Sequence, residues 1–160
     1  MTLDPTRSLQ ETYAPHGRCF GCGPANDKGL RIRSFATSDA ADAKLVCDWT
    51  PEKHHEAFEG VLNGGIIGAL LDCHMNWTTV FHLMKKGGLD HAPCCVTADF
   101  QVILKRPTPL VPVHIESHVV SSQEDRAAIE ATMTAGGKVT AIGKGTFVAV
   151  KPGHPAYHRW

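Results

Sequence analysis

The sequence predicts a single α+β domain in which an antiparallel sheet wraps around one long central helix. Three observations predict it. Residues 61–84 form the one apolar stretch of helical length. The segments 94–105, 111–121, 127–135 and 139–150 that follow are rich in Val, Ile, Thr and Phe. Arg-Pro-Thr-Pro, Ser-Gln-Glu-Asp and Gly-Gly separate them, as short hairpin turns would. Strands grouped in this way favour an antiparallel sheet with the helix on one face. Ile66, Ile67, Ala69, Leu70, Leu71, Cys73, Met75 and Trp77 cover nearly the whole circumference of the helix. A helix apolar on all sides is buried, so the sheet has to curl around it.

Length and charge narrow the class. A chain of 160 residues fits one domain and buries roughly 70% of its unfolded surface. Sixteen basic residues balance sixteen acidic ones, so no nucleic-acid partner is expected. No stretch approaches the roughly 20 apolar residues of a membrane span. Residues 1–18 carry acids and no apolar core, unlike a secretory signal. They read as an irregular arm with a short helix around 8–13. Residues 19–150 hold the domain, and residues 151–160 an irregular tail. Within the domain, 19–30 is a Gly-, Pro- and Asn-dense tight loop. Strands are expected at 30–36 and 43–49, and a loop at 51–60.

Six cysteines could mark a disulfide framework, but a chain of this size builds its own core. A reduced cytoplasmic protein is expected, with Cys47, Cys73, Cys94 and Cys95 as small buried apolar side chains. Cys19 and Cys22 have metal-ligand spacing, with His16 close by. A zinc site would need a second pair of ligands. Only His54 and His55 offer themselves, without compelling spacing. The pair is therefore read as a structural turn, and no metal or cofactor is expected.

Asp72, His74 and Asn76 interrupt the apolar helix. An unpartnered buried carboxylate costs several kcal/mol, so Asp72 is either bonded to its neighbours or a carboxylate tuned for catalysis. His74 points roughly away from Asp72 and reads as a satisfied core histidine. Asn76 shares the face of Asp72 and either bonds it or lines a pocket. At the other end, Asn63 is a good N-cap. Gly64 and Gly65 admit a substrate close to the first-turn N–H groups, which lack intrahelical partners. With the helix dipole, these N–H groups form a donor site for an oxyanion. Asp72 follows Gly65 by two turns within about 20°, with a rise of roughly 10 Å. One carbonyl cannot touch both on a single helix. Two antiparallel helices across a two-fold axis can present both, which predicts a homodimer with two shared sites.

Asn63-Gly-Gly-Ile-Ile-Gly-Ala-Leu-Leu-Asp72 resembles the His-Gly-Gly-(six residues)-Asp signature of hotdog-fold thioesterases of the PaaI-like and THEM types. Cys19-Phe-Gly-Cys-Gly-Pro-Ala-Asn26-Asp-Lys-Gly29-Leu30 is similar to the N-terminal motif of one branch. Val96-Thr97 leading to Lys105-Arg106-Pro107-Thr-Pro109-Leu110, and Thr140-Ala-Ile-Gly-Lys-Gly-Thr146-Phe147, resemble its later strands. The resemblance implies a hotdog fold and hydrolysis of an acyl-CoA thioester to a free acid and coenzyme A. It implies Asp72 as general base or nucleophile and the Gly65 N–H as oxyanion donor. The chain departs from the signature at Asn63, where relatives have His, and at Cys73, where many have Glu. Asn63 cannot serve as an acid–base group near neutral pH.

Further candidates fall into place beside these. Gly64 joins Gly65 at the helix start. His55, in the loop that this family folds beside its site, would orient water or substrate. Asn76 would contact the acyl group. Lys105, Arg106 and Arg126, near turns, would meet coenzyme A phosphates. Partners are expected to be acyl-CoA and a second copy, as a dimer or dimer of dimers. The alternatives are a non-catalytic acyl-CoA-binding or regulatory hotdog protein, a hotdog hydratase or dehydratase, and a zinc-dependent structural protein. The acyl group, the choice between acyl-CoA and acyl carrier protein, and base against nucleophile all stay open.

Overall fold

The computed structural model describes residues 3–158. In chain order the elements are α1 (Leu9–Tyr13), β1 (Phe35–Ala36), β2 (Leu45–Trp49), a 3-10 turn (Lys53–His55), β3 (Glu56–Phe58), β4 (Val61–Leu62), α2 (Gly64–Lys86), β5 (Cys95–Leu104), β6 (Val113–Ser122), β7 (Arg126–Ala135) and β8 (Lys138–Ala149). Six of the strands form one antiparallel sheet in the order β1-β2-β6-β7-β8-β5. β3 and β4 form a separate two-stranded ribbon.

α2 packs on β5 to β8. Leu70, Leu71, Met75 and Phe81 interlock with Ile115, Ile129, Met133 and Phe147, all fully buried. The approach is closest at Gly143 of β8. A β-carbon there would lie 3.0 Å from Met75 Cε and 3.3 Å from Leu71 Cβ. The glycine lets the sheet bend against the helix.

The expected helix and the four late strands form where the sequence places them, with ends shifted by at most three residues. Three expectations need correction. The strand at 30–36 shrinks to Phe35–Ala36, because its backbone groups are claimed elsewhere: Leu30 and Ile32 donate to the carbonyls of Phe20 and Gly21, and Ser34 donates to Gln10 Oε1. The loop at 51–60 contains the 3-10 turn and β3, and α2 starts at Gly64 because Val61 and Leu62 pair with β3. Finally, α2 is not covered all round. Its residues from Trp77 to Met84 are all buried, but Gly64 and Gly65 are exposed and Ile66, Gly68, Ala69 and Cys73 only half-buried.

The N-terminal arm is seated on this core. Ser8 caps α1 in a reciprocal pair with Glu11, and Leu9 is buried. Gln10 begins a buried hydrogen-bond chain. Its Nε2 donates to Ser34 Oγ at 3.0 Å, and Ser34 Oγ lies 2.8 Å from His74 Nδ1. His74 Nε2 lies 3.2 Å from the Leu45 carbonyl. A carbonyl only accepts, so Nε2 carries the proton and Nδ1 accepts from Ser34. The ring is thus neutral, and full burial pushes its pKa down to about 4. His74 is a satisfied core histidine, as expected. The chain joins α1, the 30–34 segment, α2 and β2.

Gln10→Ala strands the buried Ser34 N–H and removes one of the two partners of the Ser34 hydroxyl. It should cost about 1–3 kcal/mol in chemical denaturation and raise hydrogen exchange at Leu9 and Ser34. Unchanged stability would show that this chain does not hold the arm.

Candidate functional site

The start of α2 is fixed by its flanking segments. Leu62 N–H donates to the Thr108 carbonyl at 2.9 Å, and Leu110 N–H to Gly60 at 2.9 Å. The turn after β5, which carries Lys105 and Arg106, is thereby laced to the helix start. Asn63 caps the helix: its Oδ1 accepts from Gly65 N–H at 2.8 Å and from Ile66 N–H at 3.2 Å. The Gly65 amide is therefore not bare, as the sequence reading has it. No acceptor is assigned to the exposed Gly64 N–H among the described residues.

Asp72 is half-buried two turns further on. Thr97 Oγ1 of β5 donates to its Oδ1 at 2.7 Å. Burial raises the pKa of the carboxyl, against the hydrogen bond from Thr97, which lowers it; the nearby Cys19 sulfur adds a smaller upward push. A carboxylate held in this way is more basic than one in water. Its Oδ1 is held, and it faces a cavity of about 380 Å³. Asp72, Asn76 and Trp77 of α2, Cys95 to Thr97 of β5 and the 17–24 loop wall this cavity. Asn76 lines it as expected, but its amide donates to the Cys95 carbonyl at 3.3 Å rather than to Asp72.

The fold adds Cys73 to the Cys19–Cys22 pair. The three sulfurs lie within 4.8 Å of one another. Cys19 and Cys73 are 3.8 Å apart, and Trp77 Nε1 donates to Cys22 Sγ at 3.4 Å. Hydrogen bonds from the Cys22 and Cys73 thiols, together with the backbone N–H groups of Cys22 and Gly21, pull the Cys19 pKa well down. The bond to Cys19, together with burial, pushes Cys22 and Cys73 up. Cys73 is thus half-buried and clustered rather than an inert core side chain. Cys47 and Cys95 do match the expectation of buried apolar residues, and burial raises both thiols.

The remaining candidates separate into two groups. His55 is buried beside the helix start: its carbonyl accepts from Asn63 N–H at 3.0 Å, and its ring packs on Trp49 and His54. Its Nδ1 accepts from the Glu52 N–H at 2.8 Å, and burial lowers its pKa. It does not line the cavity at Asp72. Lys105 and Arg106 are exposed at the same end as His55. Arg126 starts β7 opposite Val148, which pairs with Val96 at the Asp72 end of β5. Its guanidinium is engaged by Asp125 at 3.0 and 3.3 Å. One chain therefore keeps the helix-start group and the Asp72 group apart.

β5 runs alongside α2 and links the two groups. A β-carbon on Gly64 would lie 3.7 Å from Leu104 Cδ1, and one on Gly68 4.0 Å from the Phe100 ring. Thr97 meets Asp72 further along. β5 pairs with β8 on one side only and is an edge of the sheet. Ala98 to Gln101 are exposed, and so are the large side chains of Phe100 and Leu104, at 44% and 56%.

No family model matches the chain, and no curated protein matches its sequence. Solved structures match its fold. A thioesterase superfamily protein is 21% identical with a TM-score of 0.63, over 79% of this chain and 60% of the other. The chain thus spans less than two thirds of that longer protein. A thioesterase superfamily protein from Shewanella loihica is 20% identical with a TM-score of 0.61, over 80% of this chain and 98% of the other. Zebra fish thioesterase superfamily member 2 is 20% identical with a TM-score of 0.61, over 79% and 90%. At such identities the likeness is one of fold. With a six-stranded antiparallel sheet packed on one long helix, and with these neighbours, the chain has the hotdog fold found in the thioesterase superfamily.

Proposed function

We propose that the protein hydrolyses an acyl-CoA thioester, using Asp72 of one copy and the α2 start of a second. The observation that carries this reading is the placement of Asp72. A carboxylate made more basic by burial, and steadied by Thr97, faces a partly apolar cavity.

The geometry of β5 supports the pairing of copies. Its ten residues leave one edge unpaired, and an exposed edge with large apolar side chains is a template for a second strand. Thr97 marks the Asp72 end and Leu104 the Gly64 end. Antiparallel pairing of two β5 edges about a two-fold axis near Phe100–Gln101 sets each Asp72 end beside the partner's helix start. The same operation brings Lys105, Arg106 and His55 of one copy towards Asp72 of the other. The two groups that one chain keeps apart would then form one site.

In the proposed chemistry the thioester carbonyl oxygen takes the Gly65 N–H. Asn63 Oδ1 keeps the Ile66 N–H, so the helix remains capped when Gly65 is released. The exposed Gly64 N–H is a second donor at the same place. Asp72 removes a proton from water as it attacks the carbonyl carbon, or attacks that carbon itself to form an anhydride that water opens. Collapse of the tetrahedral species breaks the carbon–sulfur bond and releases the coenzyme A thiolate, which is then protonated. Asn76 and the apolar wall would receive the acyl group, and Lys105 and Arg106 the phosphates. Arg126 would have to leave Asp125 to take part. Six free cysteines fit a reducing cytoplasmic setting. Among the described residues no helix is long and apolar enough to cross a membrane.

The bond from Gly65 to Asn63 favours one competitor, an acyl-CoA-binding protein that does not turn its ligand over. A panel of acyl-CoA thioesters with a thiol-detecting reagent separates the two. Hydrolysis should occur in the wild type and fall by roughly 100-fold or more in Asp72→Asn, with the fold intact by circular dichroism. Binding without turnover by the wild type would favour the competitor. Turnover that persists in Asp72→Asn would remove Asp72 from the mechanism.

Phe100→Lys places a charge at the centre of the exposed edge without disturbing the core. It should give a folded monomer in sedimentation and lose hydrolysis to a similar degree. A fully active monomer would show that one chain is enough.

A further inference from the structure

We propose that Cys19, Cys22 and Cys73 form a binding site for one zinc ion, with three thiolate ligands and a fourth position open to the cavity that holds Asp72. This does not rest on the proposed hydrolysis.

The argument is geometric. Sulfurs bound to a tetrahedral zinc at metal–sulfur distances of ~2.3 Å lie about 3.8 Å from one another. Cys19 and Cys73 are already 3.8 Å apart, and all three sulfurs fall within 4.8 Å of each other. A disulfide would account for two sulfurs and leave the third beside them, within 4.8 Å, without a role. A metal accounts for all three. The Cys19-Phe-Gly-Cys22-Gly23 turn is also shaped for it. Gly23 N–H closes the turn onto the Cys19 carbonyl at 2.8 Å. Trp77 Nε1 donates to Cys22 Sγ, and such a donor stabilises a thiolate ligand. Gly21 has to be glycine, because a β-carbon there would collide with Cys73 Sγ.

The ligand set selects the metal class. Three thiolates form a soft site, suited to zinc rather than to calcium or magnesium. No other His, Cys, Asp or Glu atom joins the cluster within 4.8 Å among the described residues. All three cysteines line the cavity shared with Asp72 and Asn76, so the fourth ligand comes from that cavity, as water or a bound molecule. Each sulfur binds as thiolate and gives its proton to solvent. The ion would pin the 17–24 loop to α2 one residue beyond Asp72.

The test uses the full chain, purified under reducing conditions, stripped with a chelator and reloaded with zinc chloride. Elemental analysis should give about one zinc per chain. Cys19→Ser, Cys22→Ser and Cys73→Ser should each fall below about a tenth of that content, while Cys47→Ser, whose sulfur lies elsewhere in the core, keeps it. Cobalt(II) in place of zinc should give the strong sulfur-to-metal absorption of a thiolate site. A variant that fails to fold does not shelter the claim, because the wild type is read directly: zinc should protect the exposed Cys19 from a thiol reagent, and a chelator should restore its reactivity. Reduced wild-type protein that binds no zinc and shows no zinc protection would overturn the site. So would a Cys19–Cys22 disulfide that forms in air while the reduced protein still takes up no metal. None of these readouts depends on turnover, and Asp72→Asn should retain its full zinc content, so failure of the hydrolase reading and failure of the metal site are distinguishable.

Discussion

Much of this fold depends on finding partners for the polar groups of α2, of which Thr79 Oγ1 is buried without one among the described residues. α2 carries two polar stripes. His74, Thr78 and His82 recur every four residues on one face. His74 is bonded to Ser34 and Leu45, Thr78 to its own helix and to Ser117 at 2.6 Å, and His82 to the Ala41 carbonyl and Ser122. This stripe is saturated by the 34–45 segment and β6, and it serves packing. Asp72 and Asn76 form the second stripe, on the face towards β5. Each makes one protein bond and faces the cavity. The first face is bonded within the fold and the second opens on the cavity, which divides packing from the candidate site.

The N-terminal segment takes part in both stripes. Through Gln10 and Ser34 it completes the saturated one. Through Cys19 and Cys22 it closes over the one that faces the cavity. The corrections to the expected strand at 30–36 follow from this. A backbone that spends the N–H groups of Leu30, Ile32 and Ser34 on the 20–21 loop and on Gln10 cannot offer that side to a neighbouring strand. The arm is therefore a wall of the cavity rather than a tether.

Legibility in the sequence followed the range of the interactions. Short-range signals are readable: the apolar run of α2, the four late strands, the short helix around 8–13 and Asn63 as N-cap. So was the phase of Asp72 against Gly65, because helix geometry converts seven positions into two turns. The ends of β1 and the start of α2 were not, because hydrogen bonds to distant residues decided them. The three-cysteine cluster was invisible for the same reason. Cys73 reaches Cys19 across 54 positions, and a search for a second spaced pair had to miss a single ligand donated by a helix. One signal was available: Cys73 and Trp77 stand one helical turn apart, so both can face a loop that must contain glycine at 21. The engagement of the Gly65 N–H by Asn63 was also within reach, since a good N-cap by definition occupies first-turn amides.

The remaining argument concerns why a helix this well buried at one end should be bare at the other. From Trp77 to Met84 α2 is closed on all sides, whereas Gly64 and Gly65 are exposed, as are Phe100 and Leu104 beside them on β5. Small residues on the helix and large apolar ones on the strand make a surface with a groove and a ridge. Both are repeated by any two-fold operation about the middle of β5. In the proposed dimer a free strand edge of ten residues would satisfy its own backbone groups by pairing with its copy in antiparallel register, and ridge would meet groove. The cavity at Asp72 and the exposure at Gly64 would then be two halves of one proposed site, placed at opposite ends of a strand long enough to keep them apart within a single chain.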